Sequence, residues 1–220
     1  MRIFASWKLL LFVSTLIFLF AIGRSVQSQE IPSNLKHLYE TSVRVKTETG
    51  YGSGWILSDY RIVTAGHVAK KVGNIVDIEF TEGRHRRGVV MDIDVKLDIA
   101  IIGTAVPEHM DKAKVNCGPL VWNDPIQIVG FPVYTMWTIV NGYVTSINKI
   151  IHPQADGNET VIDATISPGI SGAPVFNSAQ EVIGLATASI NAPGTNSPSG
   201  LGIMLAANKF CKFLGLAKNA

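Results

Sequence analysis

Short apolar runs recur along the chain from residue 42 onwards, separated by glycine, proline and polar residues. The first, 42–47, alternates apolar and polar side chains with a period of two, which is typical of a half-buried β-strand. The same signals predict strands at 55–57, 62–65, 75–80, 88–93, 97–102, 125–129, 138–146, 160–164, 174–176, 181–186 and 201–205. Helices are expected only at 35–39 and, amphipathically, at 208–214. About a dozen short strands in two groups predict an all-β fold of two packed antiparallel barrels.

The segments between the strands set the predicted domain boundaries. The glycine-rich stretch 50–54 predicts a turn, and the basic stretch 81–87 predicts a solvated hairpin tip. Residues 107–119 are polar without a clear period, which indicates the connection between two halves. The halves are therefore placed at 29–112 and 113–220.

The first 28 residues have the layout of a secretory signal peptide. Arg2 and Lys8 precede an uncharged apolar run, 9–22, and the small-residue site Val26-Gln27-Ser28 follows it. An uncleaved signal anchor is the alternative, because the apolar run extended backwards approaches the span of a bilayer. The remainder is expected to be secreted or periplasmic, and attached to a membrane only if this segment stays uncleaved.

Composition and charge narrow the possible partners. Of the 220 residues 47% are hydrophobic, and 20 glycines with 10 prolines suit a turn-rich β protein with a substantial core. Without Arg2, Lys8 and Arg24 the chain has 16 basic and 17 acidic residues, a balance that gives no reason to expect nucleic acid. The two cysteines, Cys117 and Cys211, form no metal or redox motif. The residues alone allow either a disulfide or two free buried thiols.

A tight loop is predicted for the stretch Ser167-Pro168-Gly169-Ile170-Ser171-Gly172-Ala173-Pro174, called here the serine loop. Glycine permits backbone angles that a side chain forbids. The loop can therefore expose Ser171 and aim neighbouring N–H groups into one space, as an oxyanion site requires. Such turns also occur in ordinary loops, so the pattern points to chemistry only together with a base and an acid.

His67 and Asp98 are the candidates for that base and acid. His67 follows the predicted strand 62–65, and Asp98 opens an apolar strand, where an unpaired carboxylate would be costly to bury. A hydrogen bond from His67 would remove that cost. Acyl transfer needs a nucleophile, a base and an orienting acid, and the order His, Asp, Ser is that of the chymotrypsin arrangement.

The chain resembles chymotrypsin-fold (trypsin-like) serine proteases and is most similar to the protease domain of the HtrA (Deg) family. The likeness spans about 42–213 and lies in ordered landmarks: Gly52-Ser53-Gly54-Trp55-Ile56-Leu57, Val63-Thr64-Ala65-Gly66-His67-Val68, Leu97-Asp98-Ile99-Ala100, the serine loop with the preceding 163–166, and Glu181-Val182-Ile183-Gly184. The resemblance implies two packed six-stranded antiparallel barrels with a short C-terminal helix. It also implies protein or peptide substrates, and neither a cofactor nor a metal. A PDZ domain is not expected, because the chain ends soon after the predicted helix.

The same resemblance assigns roles to the candidate residues. Ser171 would be the nucleophile, His67 the general base and then acid, and Asp98 the orienting carboxylate. The backbone N–H groups of Gly169 and Ser171 would form the oxyanion hole. In this fold the closing helix packs against the connecting segment, so the resemblance favours a disulfide between Cys117 and Cys211.

A substrate groove is also implied. The backbone of 187–189 would pair with the substrate as an added strand, and the Thr187 hydroxyl would lie near Asp98. The first specificity pocket would have Thr165 as its floor, beside Ile166, with walls from Thr187, Ala188, Ser189, Gly202, Ile203 and Met204. None of these side chains is charged. Cleavage is therefore expected after small or medium aliphatic residues rather than after charged ones.

Two positions of the serine loop depart from the family. Asn or Asp usually precedes the serine and Gly stands two after it, whereas this chain has Ile170 and Ala173. Ile170 cannot pair with a new N-terminus, so activation of the trypsin kind is not expected, and Ala173 would be strained at a positive φ. The alternative function is a catalytically silent peptide-binding protein of this fold, but such proteins usually lose a triad residue and here all three are present.

Overall fold

The computed structural model describes residues 30–133, 135–149 and 159–216, and the side chains of 148 and 149 are excluded. The predicted signal segment 1–28 lies outside these residues. A short helix α1 (Ser33–Glu40) precedes the first barrel. In the part of the chain that is described, no helix is long and apolar enough to cross a membrane.

Six antiparallel strands close the first barrel in the order β1-β2-β3-β6-β5-β4. They are β1 (Ser42–Thr47), β2 (Gly50–Ser58), β3 (Arg61–Ala65), β4 (Ile75–Phe80), β5 (His85–Asp94) and β6 (Ile99–Gly103), with the single-turn helix α2 (Gly66–Ala69) directly after β3. Alternate side chains of β1 and β4 point into the barrel, which explains the period of two in the sequence.

The second barrel closes in the order β10-β11-β12-β9-β8-β7. Its strands are β7 (Pro125–Gly130), β8 (Thr138–Lys149), β9 (Glu159–Asp163), β10 (Pro174–Phe176), β11 (Val182–Asn191) and β12 (Pro198–Ala206), and the short helix α3 (Ala207–Phe210) follows. The prediction of an all-β fold with two six-stranded antiparallel barrels and a short C-terminal helix is confirmed.

A continuous apolar core joins the two barrels. Trp55 and Phe80 are buried inside the first barrel, and Phe176 and Phe210 of the second half belong to the same cluster. A second cluster around Ile128 and others fills the second barrel. Since apolar area removed from water stabilises a fold by about 25 cal/mol per Å², the shared cluster holds the barrels together as well as stabilising each.

Two local predictions are wrong. Residues 50–54 are the first half of β2 rather than a turn. Gly52 and Gly54 serve close packing, since a Cβ at Gly52 would lie 2.6 Å from Val68 Cγ1 and one at Gly54 would lie 2.7 Å from the backbone oxygen of Val63. The basic hairpin tip is shorter than predicted, because β5 already begins at His85 and pairs with β4 there.

The predicted disulfide between Cys117 and Cys211 is confirmed. It joins the segment between the barrels to the residue that follows α3, and both cysteines are buried. The bridge closes a loop with a sequence separation of 94 residues, and so constrains the unfolded chain strongly.

We expect the double variant Cys117→Ala, Cys211→Ala to lose about 4 kcal/mol of unfolding free energy, because the unfolded chain regains the entropy of the opened loop. Urea denaturation with and without reductant measures the loss. Reductant should destabilise the unsubstituted protein and leave the double variant unaffected. Two thiols that alkylate in the unreduced protein would contradict the bridge.

Candidate active site

His67 stands at the end of β3, where α2 begins. Its ring nitrogen Nδ1 lies 2.7 Å from Oδ2 of Asp98, and its backbone N–H donates to Oδ1 of the same carboxylate, also at 2.7 Å. Two bonds from one residue to both carboxylate oxygens fix the imidazole plane. Gly66 makes this approach possible, since a Cβ there would lie 3.1 Å from Asp98 Oδ1.

Asp98 adopts a left-handed backbone conformation, with φ at +56°. Aspartate tolerates this region better than most residues do. The next residue, Ile99, pairs with Ala65 in the β3–β6 ladder, which brings Asp98 opposite the start of α2. Register and backbone conformation together place the carboxylate against His67.

Electrostatics favour the charged form of the histidine. The hydrogen bond with Asp98 raises the pKa of His67 above its ordinary value of 6.5, burial opposes this, and the carboxylate charge adds to the rise. The His67 side chain is still half exposed, at 50%, so the pair is accessible to solvent.

Ser171 lies where the serine loop meets the first barrel. Its carbonyl oxygen accepts the N–H of Ser53 in β2 at 2.8 Å. The next residue, Gly172, has φ at +89°, and a Cβ there would lie 2.9 Å from the backbone nitrogen of Ala65. The loop is thus pressed against the end of β3, two residues before His67.

The Ser171 hydroxyl donates to the backbone oxygen of Thr187 at 2.9 Å. Among the hydrogen bonds of the described residues, none joins this hydroxyl to His67. Transfer of its proton to the imidazole therefore requires the side chain to leave Thr187.

The two expected oxyanion donors are oriented by their own peptide groups. Pro168 O accepts the N–H of Val133 at 3.0 Å, and Ile170 O accepts the N–H of Ala173 at 2.9 Å. Because C=O and N–H point in opposite directions across a trans peptide, the N–H groups of Gly169 and Ser171 point away from those partners. Within the described segments neither N–H has a hydrogen-bond acceptor.

The two unusual loop residues fit without strain. Ile170 is buried in the core of the second barrel. Ala173 is not among the residues of positive φ, so the strain considered for it does not arise. Its carbonyl oxygen accepts the N–H of Ala186, which continues the ladder of β10 and β11 up to the loop.

The residues expected to line the specificity pocket are arranged differently in the structure. Thr165 is exposed and does not form an enclosed floor, whereas Ile166 is buried. A Cβ at Gly202 would lie 2.6 Å from Ile166 Cγ1, so Ile166 occupies the space that the missing side chain leaves. Met204 belongs to the core of the second barrel, and the adjacent Ile203 is buried outside that cluster.

Thr187 is not placed as expected. Its hydroxyl donates to the backbone oxygen of Ile203 at 3.1 Å, and no hydrogen bond to Asp98 is found among the described residues. The backbone of β11 matches the expectation better. β11 pairs with β10 only as far as Leu185 and with β12 as far as Asn191, so no strand of the described residues lies beside one edge of 187–191, which includes Ala188 and Ser189.

Sequence reasoning missed one residue of the site, Ser53. It is fully buried, and its hydroxyl bonds to the backbone of two loops of the second barrel. Its sequence signal is its position in Gly52-Ser53-Gly54, one of the landmarks of the resemblance. Across residues 30–133, 135–149 and 159–216 there is no group of three or more His, Cys, Asp or Glu side chains that could hold a metal ion.

Comparison with known proteins follows this geometry. Residues 52–185, more than half of the chain, match the family described as "Trypsin-like peptidase domain". The chain is 28% identical over 196 residues to the "Probable periplasmic serine endoprotease DegP-like" of Buchnera aphidicola subsp. Baizongia pistaciae, covering 82% of this chain and 42% of that protein. It is also 28% identical over 185 residues to "Serine protease HTRA1A" of Danio rerio, covering 80% and 37%. The chain thus spans less than half the length of these relatives.

We expect NMR titration to give His67 a pKa above its ordinary value, and Asp98→Asn to lower that pKa. The substitution removes the negative charge and the charged acceptor that raise the pKa, while burial, which lowers it, remains. Asp77→Asn is the matched control, because Asp77 pairs with His85 elsewhere on the first barrel and should leave His67 unchanged. An unchanged His67 pKa in Asp98→Asn would contradict the pairing.

Proposed function

This chain belongs to the family of trypsin-like peptidase domains and is a chymotrypsin-fold, HtrA-like protein, and on that premise we propose that it is a serine endopeptidase acting through an acyl-enzyme. One observation carries the proposal. The His67–Asp98 pair and the serine loop meet at the junction of the barrels, and the loop offers two N–H groups with no acceptor among the described residues. A base and an oxyanion site beside a half-buried serine suit acyl transfer.

In the proposed reaction Ser171 Oγ attacks the carbonyl carbon of the scissile peptide, and the C–O bond forms as His67 Nε2 takes the hydroxyl proton. The same proton then passes to the leaving amine as the C–N bond breaks. Water attacks the acyl-enzyme by the same route and restores the serine. Asp98 accepts the hydrogen bond of Nδ1–H throughout, so that Nε2 is the free acceptor.

The oxyanion would be stabilised by the N–H groups of Gly169 and Ser171. Both are held through the carbonyl oxygens of their own peptides before any substrate binds. Donors that are already oriented need no reorganisation as negative charge develops on the carbonyl oxygen. His67 must be neutral to accept the proton, so activity falls as the pH drops through its raised pKa.

Protein or peptide substrates would bind as an added strand on the open edge of β11, formed by the backbone of 187–191. Backbone hydrogen bonds along a sheet edge accept any sequence, which suits an endopeptidase. Selectivity would then come from the neighbouring pocket. Its uncharged surroundings and the bulk of Ile166 beside Gly202 favour short apolar side chains.

Export is also part of the proposal. The signal-peptide pattern of 1–28 supports it, and so does the Cys117–Cys211 disulfide, because such bridges form and persist in oxidising compartments. The name of the Buchnera relative places that protein in the periplasm.

A catalytically silent peptide-binding protein is the second candidate. The observation that favours it is the bond from the Ser171 hydroxyl to Thr187 O, which leaves the serine proton away from His67. The open edge of β11 would bind peptides equally well in such a protein.

Labelling with a fluorophosphonate separates the two candidates. We expect the protein to be labelled at Ser171 and to hydrolyse an unfolded protein, because both reactions need an activated serine. Ser171→Ala and His67→Ala should each lose labelling and hydrolysis while keeping the fold, since the three residues act as a unit. Asp98→Asn should cost about 10⁴-fold in kcat by favouring the wrong imidazole tautomer. Ser178→Ala, in the turn after β10, is the matched control. Absence of labelling in the unsubstituted protein would favour the silent alternative.

Cleavage of denatured casein tests the pocket. We expect cuts mainly after Val, Ala, Ile and Leu, and few after Lys, Arg, Asp or Glu, because a charged side chain would lose its hydration without gaining a counter-charge. The preference should be broad, since one methylene changes binding by about 1–3 kcal/mol. Mass-spectrometric mapping of the new termini measures it, with Ile166→Ala as the comparison, which should shift cuts towards larger residues. Cuts mainly after basic residues would show that the pocket is misplaced.

A further inference from the structure

Ser53 lies in β2 of the first barrel, and each of its polar atoms makes a hydrogen bond. Its N–H donates to Ser171 O at 2.8 Å, and its carbonyl oxygen accepts the Thr64 hydroxyl at 2.6 Å. Its own hydroxyl donates to Gly169 O at 2.7 Å and accepts the N–H of Phe131 at 2.9 Å. The residue is completely buried.

Three of these four bonds reach the second barrel. Gly169 and Ser171 belong to the serine loop, and Phe131 directly follows β7. Phe131 and Thr135 are held to the first barrel at a second place as well, because Arg44 lies over the Phe131 ring at 5.2 Å and donates to Thr135 O at 3.1 Å. Ser53 therefore connects the serine loop to a segment that is itself docked.

The peptide group that Ser53 holds lies between the two oxyanion donors. Pro168 O is held by Val133, and Ile170 O by Ala173, while the intervening carbonyl of Gly169 is held by the Ser53 hydroxyl. With φ at +96°, Gly169 is in a region that glycine adopts easily, and the bond from Ile170 N–H to Ser167 O at 3.0 Å is the only other hydrogen bond of this peptide among the described residues. Without the hydroxyl, the Gly169 carbonyl would be a buried acceptor with no partner. A shift of this peptide would move the Cα atoms of Gly169 and Ile170, to which the two donor peptides are bonded.

A buried serine of purely structural role looks different. Ser42 in β1 is also completely buried, and its hydroxyl donates to Leu38 O at 2.8 Å, at the end of α1. That bond joins neighbouring residues of the chain, four apart. The Ser53 hydroxyl instead bridges to residues 116 and 78 positions away, both beside the proposed oxyanion site.

We propose that Ser53 is a positioning residue whose hydroxyl sets the orientation of the oxyanion donors of the serine loop. This inference rests on the proposed peptidase function and adds to it a residue of the first barrel that touches no substrate. Its effect should fall on the transition state and hardly on substrate binding, because the carbonyl oxygen of bound substrate is neutral and gains its negative charge as the tetrahedral intermediate forms.

The test compares Ser53→Ala with Ser42→Ala, the matched loss of a fully buried serine hydroxyl. Hydrolysis of a peptide p-nitroanilide with valine before the cleaved bond gives kcat and KM separately. We expect Ser53→Ala to lower kcat by about 10- to 100-fold with KM little changed, as a displaced oxyanion donor would. Its pH midpoint should stay that of the unsubstituted enzyme, since the His67–Asp98 pair is untouched. Ser42→Ala should keep kcat within about twofold of the unsubstituted enzyme. Like Ser53→Ala, it should lose unfolding free energy, because it also removes a hydrogen bond of a buried hydroxyl.

Hydrogen–deuterium exchange supplies a readout that does not depend on catalysis. We expect the backbone amides of 167–173 to exchange faster in Ser53→Ala than in the unsubstituted protein, and at the unsubstituted rate in Ser42→Ala. If Ser53→Ala does not fold, Ser53→Cys takes its place, because it keeps the shape with a weaker donor and should lose less of kcat.

The outcomes distinguish this proposal from the function on which it rests. An unsubstituted protein that neither hydrolyses peptides nor takes up fluorophosphonate contradicts the peptidase, and exchange at 167–173 then decides for or against Ser53. If the unsubstituted protein is active, the kcat values of the two variants decide for or against the positioning role of Ser53. A kcat in Ser53→Ala equal to that in Ser42→Ala, or a loss confined to KM, overturns the positioning role.

Discussion

The site depends on the contact between the serine loop and the first barrel, where backbone meets backbone. A Cβ at Gly172 would lie 2.2 Å from Ser53 O and 2.4 Å from Thr64 Oγ1, so only a residue without a side chain can stand there. The backbone bond from Ser53 N–H to Ser171 O then fixes the serine against β2. A protein that divides its candidate chemistry between two barrels needs such a junction. The apolar cluster shared by the barrels keeps it closed.

Close packing at a glycine also positions the His67–Asp98 pair of the first barrel. Gly66 gives Asp98 room, and the left-handed backbone of Asp98 turns its carboxylate back towards the residue after Gly66. A non-glycine residue keeps this conformation when the surrounding structure over-determines it. Here the two bonds to His67 and the bond from Gly66 N–H to Asp98 O do so. The same group of hydrogen bonds therefore maintains the left-handed backbone of Asp98 and the orientation of the His67 imidazole.

Sequence reasoning worked where one face of a strand is buried, because alternation then appears in the residues themselves. The bounds predicted for β1 and β4 match those of the structure for this reason. It failed at 50–54, since glycine signals a turn and a close approach alike. It failed at the Thr187 hydroxyl, because the β11–β12 register shifts between Ala186 and Ala188 and a shift changes where side chains point. Ser53 was missed because its contacts are made across the fold and leave no local pattern.

Ile170 shows how this chain holds the loop without the polar residue that the family usually has there. Its side chain is buried in the second barrel, while its backbone groups bond within the loop to Ser167 and Ala173. An apolar side chain has no charge to titrate and forms no ion pair. The conformation of the loop is therefore set by packing and by bonds to fixed backbone, and it should not depend on the protonation of any side chain. What remains to be fixed from outside is the carbonyl of Gly169, and the donor that reaches it belongs to the first barrel.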